Sequence, residues 1–417
     1  MDLRNSYYLR KSFKTLHYRE EEIRSFRNRL VRELVSQAYE DFDFYRSFWD
    51  NEGFEPTLFE TVDDLERIPI IDGQEVRDEI GEMESAMENS VEGSLLSSGS
   101  SRQERLNVSY DSQAWDWVEA IYLRNIMLQG YSLGKKQSYY WYEPFDQGIA
   151  RKLVVPKERV PSDASLTEQL EYLEEQSADF IVYFPIVLFA LAKKMLQSEE
   201  DHDITPEAIF AQGEILTQNM KRTINEAFEA PIYDNYGSTE FNRIAWECPE
   251  GEGYHVNWES VHLNIVDEEE NPVDLGEPGE LVGTSLVNQA NPIIRYNLGD
   301  VVVEREKNCS CDTHGKVLKE VKGRKKNVVL SQSGEEIFPR EIVELLADYQ
   351  ELLLFQFVQE GDDYLLKYVP NEDFEESILE KIESDFEELG INGIRFEEVD
   401  YIERTPGGKM PPVKVQR

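Results

Sequence analysis

Apolar side chains near the start of the chain recur at the spacing of an amphipathic helix. Within residues 18–50 they lie three or four positions apart, at Ile23, Phe26, Leu30, Leu34 and Ala38. Side chains at this spacing share one face of a helix. The pattern predicts one long helix that opens the protein.

Short apolar stretches alternate with helical patterns through the middle of the chain. In chain order we predict strands SLLSS and RLNVSY, helix QAWDWVEAIYLRNIML, strands QSYYWYEPF and ADFIVYFP, helix IVLFALAKKMLQS, strand EAIFAQGE, helix TQNMKRTINEAFE and strand PIYDNYGSTE. This alternation of strand and helix favours α/β layers with parallel sheets.

The pattern changes after about residue 261, where short strands with Gly and Pro turns follow. After KGRKKN we predict a strand, the helix PREIVELLADY, a strand at 352–369, a helix at 373–388 and a strand at 394–402. The expected fold class is α/β, with a large N-terminal domain of layered α/β sheets, a β-rich subdomain and a small α+β C-terminal domain. The boundary of this last domain is expected near 323–326.

Length and apolar content set the broad class of the protein. A chain of 417 residues exceeds what one hydrophobic core usually supports, so two or more domains are expected. No apolar run reaches the ~18 residues that span a bilayer, and the start lacks the continuous apolar core of a signal peptide. We expect a cytoplasmic protein without a membrane partner.

The chain is strongly acidic along its whole length. It holds 84 acidic and 43 basic residues, which gives a formal charge of -41. Molar salt, with a Debye length of about 3 Å, screens self-repulsion of this size, so the composition is typical of a halophile. An ordinary acidic enzyme is the alternative. No basic stripe is present that would neutralise phosphates, which excludes nucleic acid as a partner.

A hydroxyl-rich loop separates the predicted strands SLLSS and RLNVSY. It consists of Ser97, Ser98, Gly99, Ser100 and Ser101. Backbone N–H groups and Oγ atoms in such a loop can surround phosphate oxygens. The same residues also make a flexible linker, so the loop by itself leaves both hypotheses open.

The segment YDNYGSTEFN combines an aromatic ring, hydroxyls and a carboxylate at the end of a predicted strand. Tyr236 suits stacking on a base, and Ser238 and Thr239 suit contact with phosphate oxygens. Glu240 suits magnesium, which prefers oxygen ligands. The alternative is a polar β-turn.

Every cysteine of the chain lies near a histidine in sequence. Cys248 precedes His255 by seven positions, and Cys309 and Cys311 come shortly before His314. So few cysteines in an intracellular protein favour a metal site or inert burial over disulfides. Three thiolates and one imidazole make a tetrahedral set for structural zinc, with His255 and His314 as alternative fourth ligands.

Five motifs follow one another along the chain: AQGE (211–214), YGSTE (236–240), GELVGTSLVNQANPIIRYNLGD (279–300), GRKKN (323–327) and RTPGGKM (404–410). In this order they resemble the motifs of the adenylate-forming (acyl- and aryl-CoA synthetase) superfamily, specifically its phenylacetate-CoA ligase-like branch. The N-terminal DFYRSFWDNEG through DLERIPI is also similar to the opening of that branch. The resemblance covers nearly the whole chain.

The resemblance implies a role for each matching residue. Lys409, Glu240 and Thr239 would be catalytic, with Lys409 and Thr239 at the α-phosphate and Glu240 on magnesium. Tyr236 would stack on adenine, and Asp300 would accept the ribose hydroxyls. The other nucleotide-binding residues it implies are Ser97, Ser98, Gly99, Ser100, Ser101, Gly213, Glu214, Asn235, Gly237, Ser238 and, beside the ribose, Arg324.

The resemblance also implies domains and metal ligands. It gives an adenylation domain over 1–322, with a zinc-binding segment at 248–311, a hinge at 323–326 that turns about Lys326, and a mobile C-terminal domain over 327–417. The zinc ligands that it favours are Cys248, His255, Cys309 and Cys311.

The hydroxyl-rich loop departs from the branch in its second half. Arg102, Gln103 and Glu104 stand where the branch has Gly, Lys and Pro. The lost lysine is a charge suited to pyrophosphate, which Arg102 could supply from a neighbouring position. Position and context still favour a phosphate loop over a linker.

The resemblance implies ATP-dependent activation of a carboxylic acid, an aryl acetate or similar, to an acyl-adenylate, followed by thioester formation with CoA. The expected cofactors are ATP, Mg²⁺, CoA and structural Zn²⁺. The alternatives are another acceptor, as in an acyl-protein synthetase or an adenylyltransferase, and a catalytically weakened binding homologue. YYWYEPF, YFPI and Ile215 are candidates to line the acid pocket, and association into a homodimer is left open.

Overall fold

The computed structural model describes residues 3–71, 91–96, 106–141, 154–199, 201–307 and 309–416. Its helices are α1 (Leu3–Thr15), α2 (Glu20–Asp41), α3 (Asp43–Glu52), α4 (Ser112–Leu128), α5 (Leu166–Gln176), α6 (Pro185–Gln197), α7 (Gln218–Phe228), α8 (Pro339–Ala347) and α9 (Ser377–Glu388). Within these ranges no helix has the length and apolar character needed to cross a bilayer.

The strands of the same ranges are β1 (Val91–Leu96), β2 (Asn107–Asp111), β3 (Gln137–Trp141), β4 (Lys157–Pro161), β5 (Phe180–Tyr183), β6 (Ala208–Gln212), β7 (Ile232–Ser238), β8 (Asn242–Glu247), β9 (Tyr254–Val256), β10 (Val261–Val266), β11 (Pro278–Ser285), β12 (Tyr296–Glu304), β13 (Val317–Arg324), β14 (Val329–Leu330), β15 (Glu336–Ile337), β16 (Leu352–Glu360), β17 (Asp363–Pro370), β18 (Arg395–Glu398) and β19 (Val413–Gln416).

The first of two compact units combines Met1–Gln129 with Asn235–Glu320. Its strands pair antiparallel: β7 with β8, β8 with β9, β9 with β13, β10 with β11 and β11 with β12. β1 and β2 form a separate antiparallel pair, which confirms the two strands predicted beside the hydroxyl-rich loop. The strands β10 to β12 confirm the β-rich segment predicted after residue 261.

The N-terminal helical segment is broken where the sequence predicts one long helix. α2 and α3 meet at Phe42, which takes an extended conformation with φ -118° and ψ 114°. The turn buries Tyr45 and Trp49 of α3 completely, and the Tyr45 hydroxyl donates to the carbonyl of Pro292 at 2.6 Å. The prediction of a continuous helix is wrong, because burial of α3 is a tertiary effect that helical spacing does not report.

The second unit combines Gly130–Asp234 with Val321–Arg417. Strands β4, β3, β5 and β6 lie side by side in that order and run parallel. This arrangement, with α5 and α6 between the strands in sequence and α7 after β6, confirms the predicted α/β layers. One hydrophobic core joins both segments of the unit and includes Val187 and Phe189 of α6, Ile342 and Leu346 of α8, and Phe357 of β16.

The C-terminal segment forms a four-stranded sheet in the order β18, β17, β16, β19. The sequence predicts one strand over 352–369, but the structure has the hairpin β16–β17, which turns at Gly361 with φ 59°. That prediction is wrong because the polar stretch QEGDD at 359–363 interrupts the apolar pattern and forms the turn. β19, which the sequence analysis missed, pairs parallel with β16 and is separated from the RTPGGKM motif by two residues.

Candidate active site

The hairpin of β7 and β8 carries the YGSTE motif and requires a glycine at position 237. A Cβ built on Gly237 would lie 2.2 Å from the carbonyl oxygen of Asn242, and the pairing register shifts between Tyr236 and Gly237. Only a residue without a side chain lets the two strands approach this closely. The glycine thereby sets the path of the residues that follow it.

Tyr236 and Asp300, the residues expected at adenine and ribose, are hydrogen-bonded to each other. The Tyr236 hydroxyl donates to Oδ2 of Asp300 at 2.7 Å. Asp300 is buried on β12 and follows Gly299, whose φ of 72° favours glycine. The structure thus brings together two predicted residues from separate motifs.

Glu240 is buried beside a tyrosine that the sequence analysis did not single out. The Tyr296 hydroxyl donates to Oε1 of Glu240 at 3.2 Å, and both side chains are buried. Thr239, next to Glu240, is half-buried. Magnesium binds oxygen ligands, so the carboxylate of Glu240 and the hydroxyl of Thr239 fit that ion. The sequence could have pointed to Tyr296, because this residue lies within the motif that ends at Asp300.

Ser238 and Asn235, two further predicted residues, are both hydrogen-bonded within the first unit. The Ser238 hydroxyl accepts from the N–H of Phe241 at 3.2 Å. The buried amide of Asn235 donates to Oε1 of Gln129 at 3.1 Å. The Ser238 contact corresponds to the polar β-turn that the sequence leaves as the alternative. The Asn235 contact joins β7 to the residue that follows α4.

The structure gathers Cys248, His255, Cys309 and Cys311 into one cluster, whose ligand atoms all lie within 4.8 Å of one another. The Sγ atoms of Cys248 and Cys309 are 3.6 Å apart, and Sγ of Cys311 is 3.2 Å from Nε2 of His255. Two thiolates on a tetrahedral zinc, at about 2.3 Å each, lie about 3.8 Å apart. The distances fit the ion, and His314 is exposed outside the cluster.

The surroundings of the cluster suit a cation. Burial lowers the pKa of His255 to about 4, with the Arg124 guanidinium acting in the same direction, so the imidazole is neutral and can coordinate. Burial raises the pKa of Cys248, because a lone thiolate is unfavourable there. Nδ1 of His255 has no hydrogen-bond partner among the residues that the structure describes. A metal ion would offset the cost of ionising the thiols.

Glu252 joins the two loops that carry these ligands, and no sequence pattern pointed to it. Its carboxylate accepts from the N–H and the hydroxyl of Ser310 at 2.9 and 3.0 Å, and from Nη1 of Arg305 at 2.8 Å. These donors, the Ser310 N–H first, lower the pKa of Glu252. Because Ser310 separates Cys309 from Cys311, Glu252 fixes the loop that holds both thiols.

In the second unit, RTPGGKM forms a closed turn shortly before β19. The N–H of Lys409 donates to Oγ1 of Thr405 at 3.2 Å, and the N–H of Thr405 donates to the carbonyl of Lys409 at 2.8 Å. Gly408 has φ 79°, a value that favours glycine. Both backbone groups of Lys409 are therefore satisfied within the turn.

The AQGE segment of the same unit lies against this turn. A Cβ on Gly213, whose φ is +83°, would lie 3.3 Å from Cε and 3.5 Å from Nζ of Lys409. Oε1 of Glu214 accepts from the N–H of Met410 at 2.8 Å. Burial raises the pKa of Glu214 to about 7, while the Lys409 ammonium opposes the shift. The fold thus joins motifs whose contacting residues are 196 positions apart.

The residues expected at the hinge follow a tightly packed glycine. A Cβ on Gly323, whose φ is +113°, would lie 3.0 Å from Pro339 and 3.2 Å from Cδ1 of Ile215. Arg324 and Lys326 are exposed. Ile215, a candidate for the acid pocket, therefore lies beside the start of the expected hinge.

Three of the aromatic residues proposed to line the acid pocket lie in the core, whereas Tyr139 and Trp141 are half-buried. The ring centroids of Tyr140 and Tyr183 are 4.7 Å apart, and Phe184 lies 5.3 Å from Tyr140. All three are fully buried. Residues 142–145 of YYWYEPF lie outside the described ranges.

The hydroxyl-rich loop also lies outside the described residues. This applies to Ser97, Ser98, Gly99, Ser100 and Ser101, and to the divergent Arg102, Gln103 and Glu104. The role of the loop at phosphate stays a prediction.

Comparison with known proteins gives relatives over most of the chain. No protein-family model matches it. It is 24% identical to the phenylacetate-coenzyme A ligase of Thermus thermophilus over 387 residues, 88% of this chain and 85% of the relative. It is 24% identical to the phenylacetate-coenzyme A ligase of Aromatoleum evansii, over 80% of this chain and 77% of the relative.

Solved structures show the same fold. A 2-hydroxyisobutyryl-CoA ligase in complex with R3-HIB-AMP matches with a TM-score of 0.78 at 19% identity, over 94% of this chain and 88% of that one. The chain therefore has the fold of adenylate-forming CoA ligases, as the predicted fold class requires. The resemblance to phenylacetate-CoA ligases that the motifs indicate is confirmed.

Proposed function

We propose that this protein is an AMP-forming acid–thiol ligase that activates a carboxylic acid with ATP and transfers the acyl group to CoA. The observation that carries the proposal is the contact between the RTPGGKM turn and the AQGE segment, where Lys409 lies over Gly213 and Glu214 binds the next residue of the turn. Relatives that match over most of the chain are phenylacetate-CoA ligases. We place the reaction in the cytoplasm, where ATP and CoA are supplied.

The reaction proceeds in two half-reactions. First, a carboxylate oxygen of the acid attacks the α-phosphorus of ATP and pyrophosphate leaves. Negative charge grows on the phosphoryl oxygens, so a cation directed at them lowers the barrier. Lys409 would supply that charge, and Thr239 would add a hydroxyl donor. Second, the CoA thiolate attacks the acyl carbon and AMP leaves.

The hydrogen bonds of the first unit support the assigned nucleotide roles. With its hydroxyl on Asp300, Tyr236 would present its ring to adenine, and Asp300 would accept the ribose hydroxyls. Glu240, oriented by Tyr296, would hold magnesium, which supplies positive charge beside the phosphates when bound. The remaining nucleotide contacts, which include Gly213, Asn235, Ser238, Arg324 and the loop from Ser97 to Ser101, stay proposals from the resemblance.

We also propose that Cys248, His255, Cys309 and Cys311 hold a structural zinc ion. The distances within the cluster and the neutral imidazole support this assignment. The ion would fix the loop after Glu240 to the segment after β12 without entering the chemistry. All four donor positions would be filled by protein, as in closed structural sites.

The C-terminal domain, 327–417, is proposed to turn about a hinge at 323–326 between the half-reactions. Such a movement would withdraw Lys409 after adenylation and admit the thiol. The positive φ of Gly323, directly before exposed hinge residues, supports this position for the change in backbone direction.

The acid is proposed to be an aryl acetate, as the names of the curated relatives suggest. A small hydroxy acid is the second candidate, because the structural neighbour named above is a 2-hydroxyisobutyryl-CoA ligase. Because the loop diverges at Arg102 to Glu104, a catalytically weakened homologue is one alternative to be tested. Transfer of the acyl group to an acceptor other than CoA is another.

One assay series tests the proposal. ATP–pyrophosphate exchange is measured over a panel of carboxylic acids that includes phenylacetate, benzoate and 2-hydroxyisobutyrate, with Lys409→Ala as the control. Exchange with one acid, lost in the variant, followed by a thioester when CoA is added, is the expected result. ATP–pyrophosphate exchange without thioester formation would mean that the acceptor is a group other than CoA. No exchange with any acid would overturn the proposed function.

A further inference from the structure

The backbone of the RTPGGKM turn is held from outside on both sides of Lys409. On one side, Oε1 of Glu214 accepts from the N–H of Met410 at 2.8 Å. On the other, the Tyr140 hydroxyl lies 3.4 Å from the carbonyl oxygen of Gly408 and 3.5 Å from that of Ser162, so the turn and Ser162 share its one proton. Both partners belong to the Gly130–Asp234 segment, whereas the turn belongs to the C-terminal segment of the same unit.

Glu214 is itself anchored at the start of α6. Its second oxygen lies 3.5 Å from the N–H of Ile186, in the first turn of that helix behind Pro185. The positive end of a helix dipole favours a carboxylate there. Glu214 is thus attached to a rigid element while it binds the turn.

Tyr140 is suited to act only as a donor toward the turn. It is fully buried on β3, and burial raises its pKa to about 12, so its hydroxyl keeps its proton at neutral pH. Its ring packs between Tyr183 and Phe184. The position of the hydroxyl is therefore set by the core.

The side chain of Lys409 has little freedom between these two contacts. Its last methylene passes over Gly213, where a Cβ would approach to 3.3 Å. Its backbone N–H and carbonyl are both bound to Thr405. Fixing the residues before and after Lys409 therefore fixes the direction in which the ammonium points.

We propose that Glu214 and Tyr140 are positioning residues that receive the RTPGGKM turn and orient Lys409 for adenylation. This inference rests on the proposed function and gives Glu214 a role different from direct contact with the nucleotide. The two residues touch the turn and not the reacting atoms. They should therefore act in the half-reaction that uses Lys409 and not in thioester formation.

The test uses Glu214→Leu, which removes the acceptor at similar volume, Glu214→Gln, which keeps an acceptor oxygen, and Tyr140→Phe. Glu214→Leu and Tyr140→Phe should each lower kcat of ATP–pyrophosphate exchange about tenfold, a loss that corresponds to about 1.4 kcal/mol in the barrier. The KM values for ATP and acid, and thioester formation from supplied acyl-adenylate, should stay within twofold. Glu214→Gln should recover most of the lost rate.

The matched control is Tyr131→Phe, another buried tyrosine of this unit, whose hydroxyl donates to the carbonyls of Lys135 and Val154 instead of the turn. It should leave both half-reactions unchanged. A raised ATP KM with loss of both half-reactions in Glu214→Leu would overturn the proposal in favour of nucleotide contact. A raised acid KM in Tyr140→Phe would overturn it in favour of a pocket role.

A second measurement does not depend on the acid substrate. Trypsin cleavage after Lys409 in the full-length protein should be several times faster in Glu214→Leu and Tyr140→Phe than in wild type and Tyr131→Phe, because the turn is released more often. Equal cleavage rates in all four proteins would overturn the positioning role. Failure of the wild type in every exchange assay would overturn the proposed function and leave the cleavage result to be judged separately.

Discussion

At the scale of single residues, Glu252 shows how a side chain outside the motifs can control a metal site. It holds the loop between Cys309 and Cys311 through Ser310. Partners that orient metal ligands typically change affinity by 10- to 100-fold. We expect Glu252→Ala to lower zinc affinity by about tenfold or more, measured by competition with a chromophoric chelator on protein purified without chelator.

The control for this variant is Glu250→Ala, which removes the same charge from an exposed position in the same loop. It should bind zinc as the wild type does. Equal loss of affinity in both variants would mean that net charge, and not the contact with Ser310, is responsible.

At the scale of elements, Lys193 connects α6 to the chain just after α8. Its ammonium is fully buried and donates to the carbonyls of Tyr349 and Leu352 at 3.0 and 2.6 Å. The Phe189 ring centre lies 4.0 Å from Nζ. A buried ammonium is tolerated when it is hydrogen-bonded, and these two carbonyls supply the acceptors that Lys193 needs.

The lysine also makes the stability of this contact depend on pH. Burial lowers the pKa of Lys193 from 10.5 to about 7, while Glu351 opposes the shift. At pH values between these two pKa values the folded state binds fewer protons than the unfolded state, so the free energy of unfolding rises with pH. In urea unfolding at pH 7 and pH 9, wild type should gain about 2 kcal/mol relative to Lys193→Met.

The control for Lys193→Met is Lys194→Met, which removes the neighbouring, partly exposed lysine. Its difference from wild type should be the same at both pH values. If the difference between wild type and Lys193→Met also stays constant, the buried ammonium does not titrate in this range and the assignment of the pH effect fails.

At the scale of the whole molecule, charge dominates. With a formal charge of -41, the acidic side chains of the folded protein repel one another at low ionic strength. Raising KCl from 0.01 M to 1 M shortens the Debye length from about 30 Å to about 3 Å. The Tm should therefore rise by several degrees, and most of the gain should come before about 0.5 M, when screening is largely complete. A Tm that does not change with KCl would exclude the halophile interpretation.

Local patterns were enough to predict much of the fold. Alternating strands and helices predicted the parallel strands β3, β5 and β6, because side-chain period and strand length are properties of a few consecutive residues. The sequence analysis missed β4, which pairs with β3 at the edge of the same sheet. The predictions failed at Phe42, where a break in the helix accompanies the burial of Tyr45 and Trp49. They also failed at Gly361, where a short turn divides one predicted strand into a hairpin.

The sequence by itself determined the order of the five motifs, the glycine at position 237 and the residue types of the metal cluster. The resemblance favoured His255 over His314, and the structure places His255 beside the thiols. Only the tertiary structure decided that Tyr296 holds Glu240 and that Glu214 binds the turn of Lys409. The physical reason is that a motif records which chemistry is available. The partner of each group depends on packing between segments far apart in the chain, which no local pattern contains.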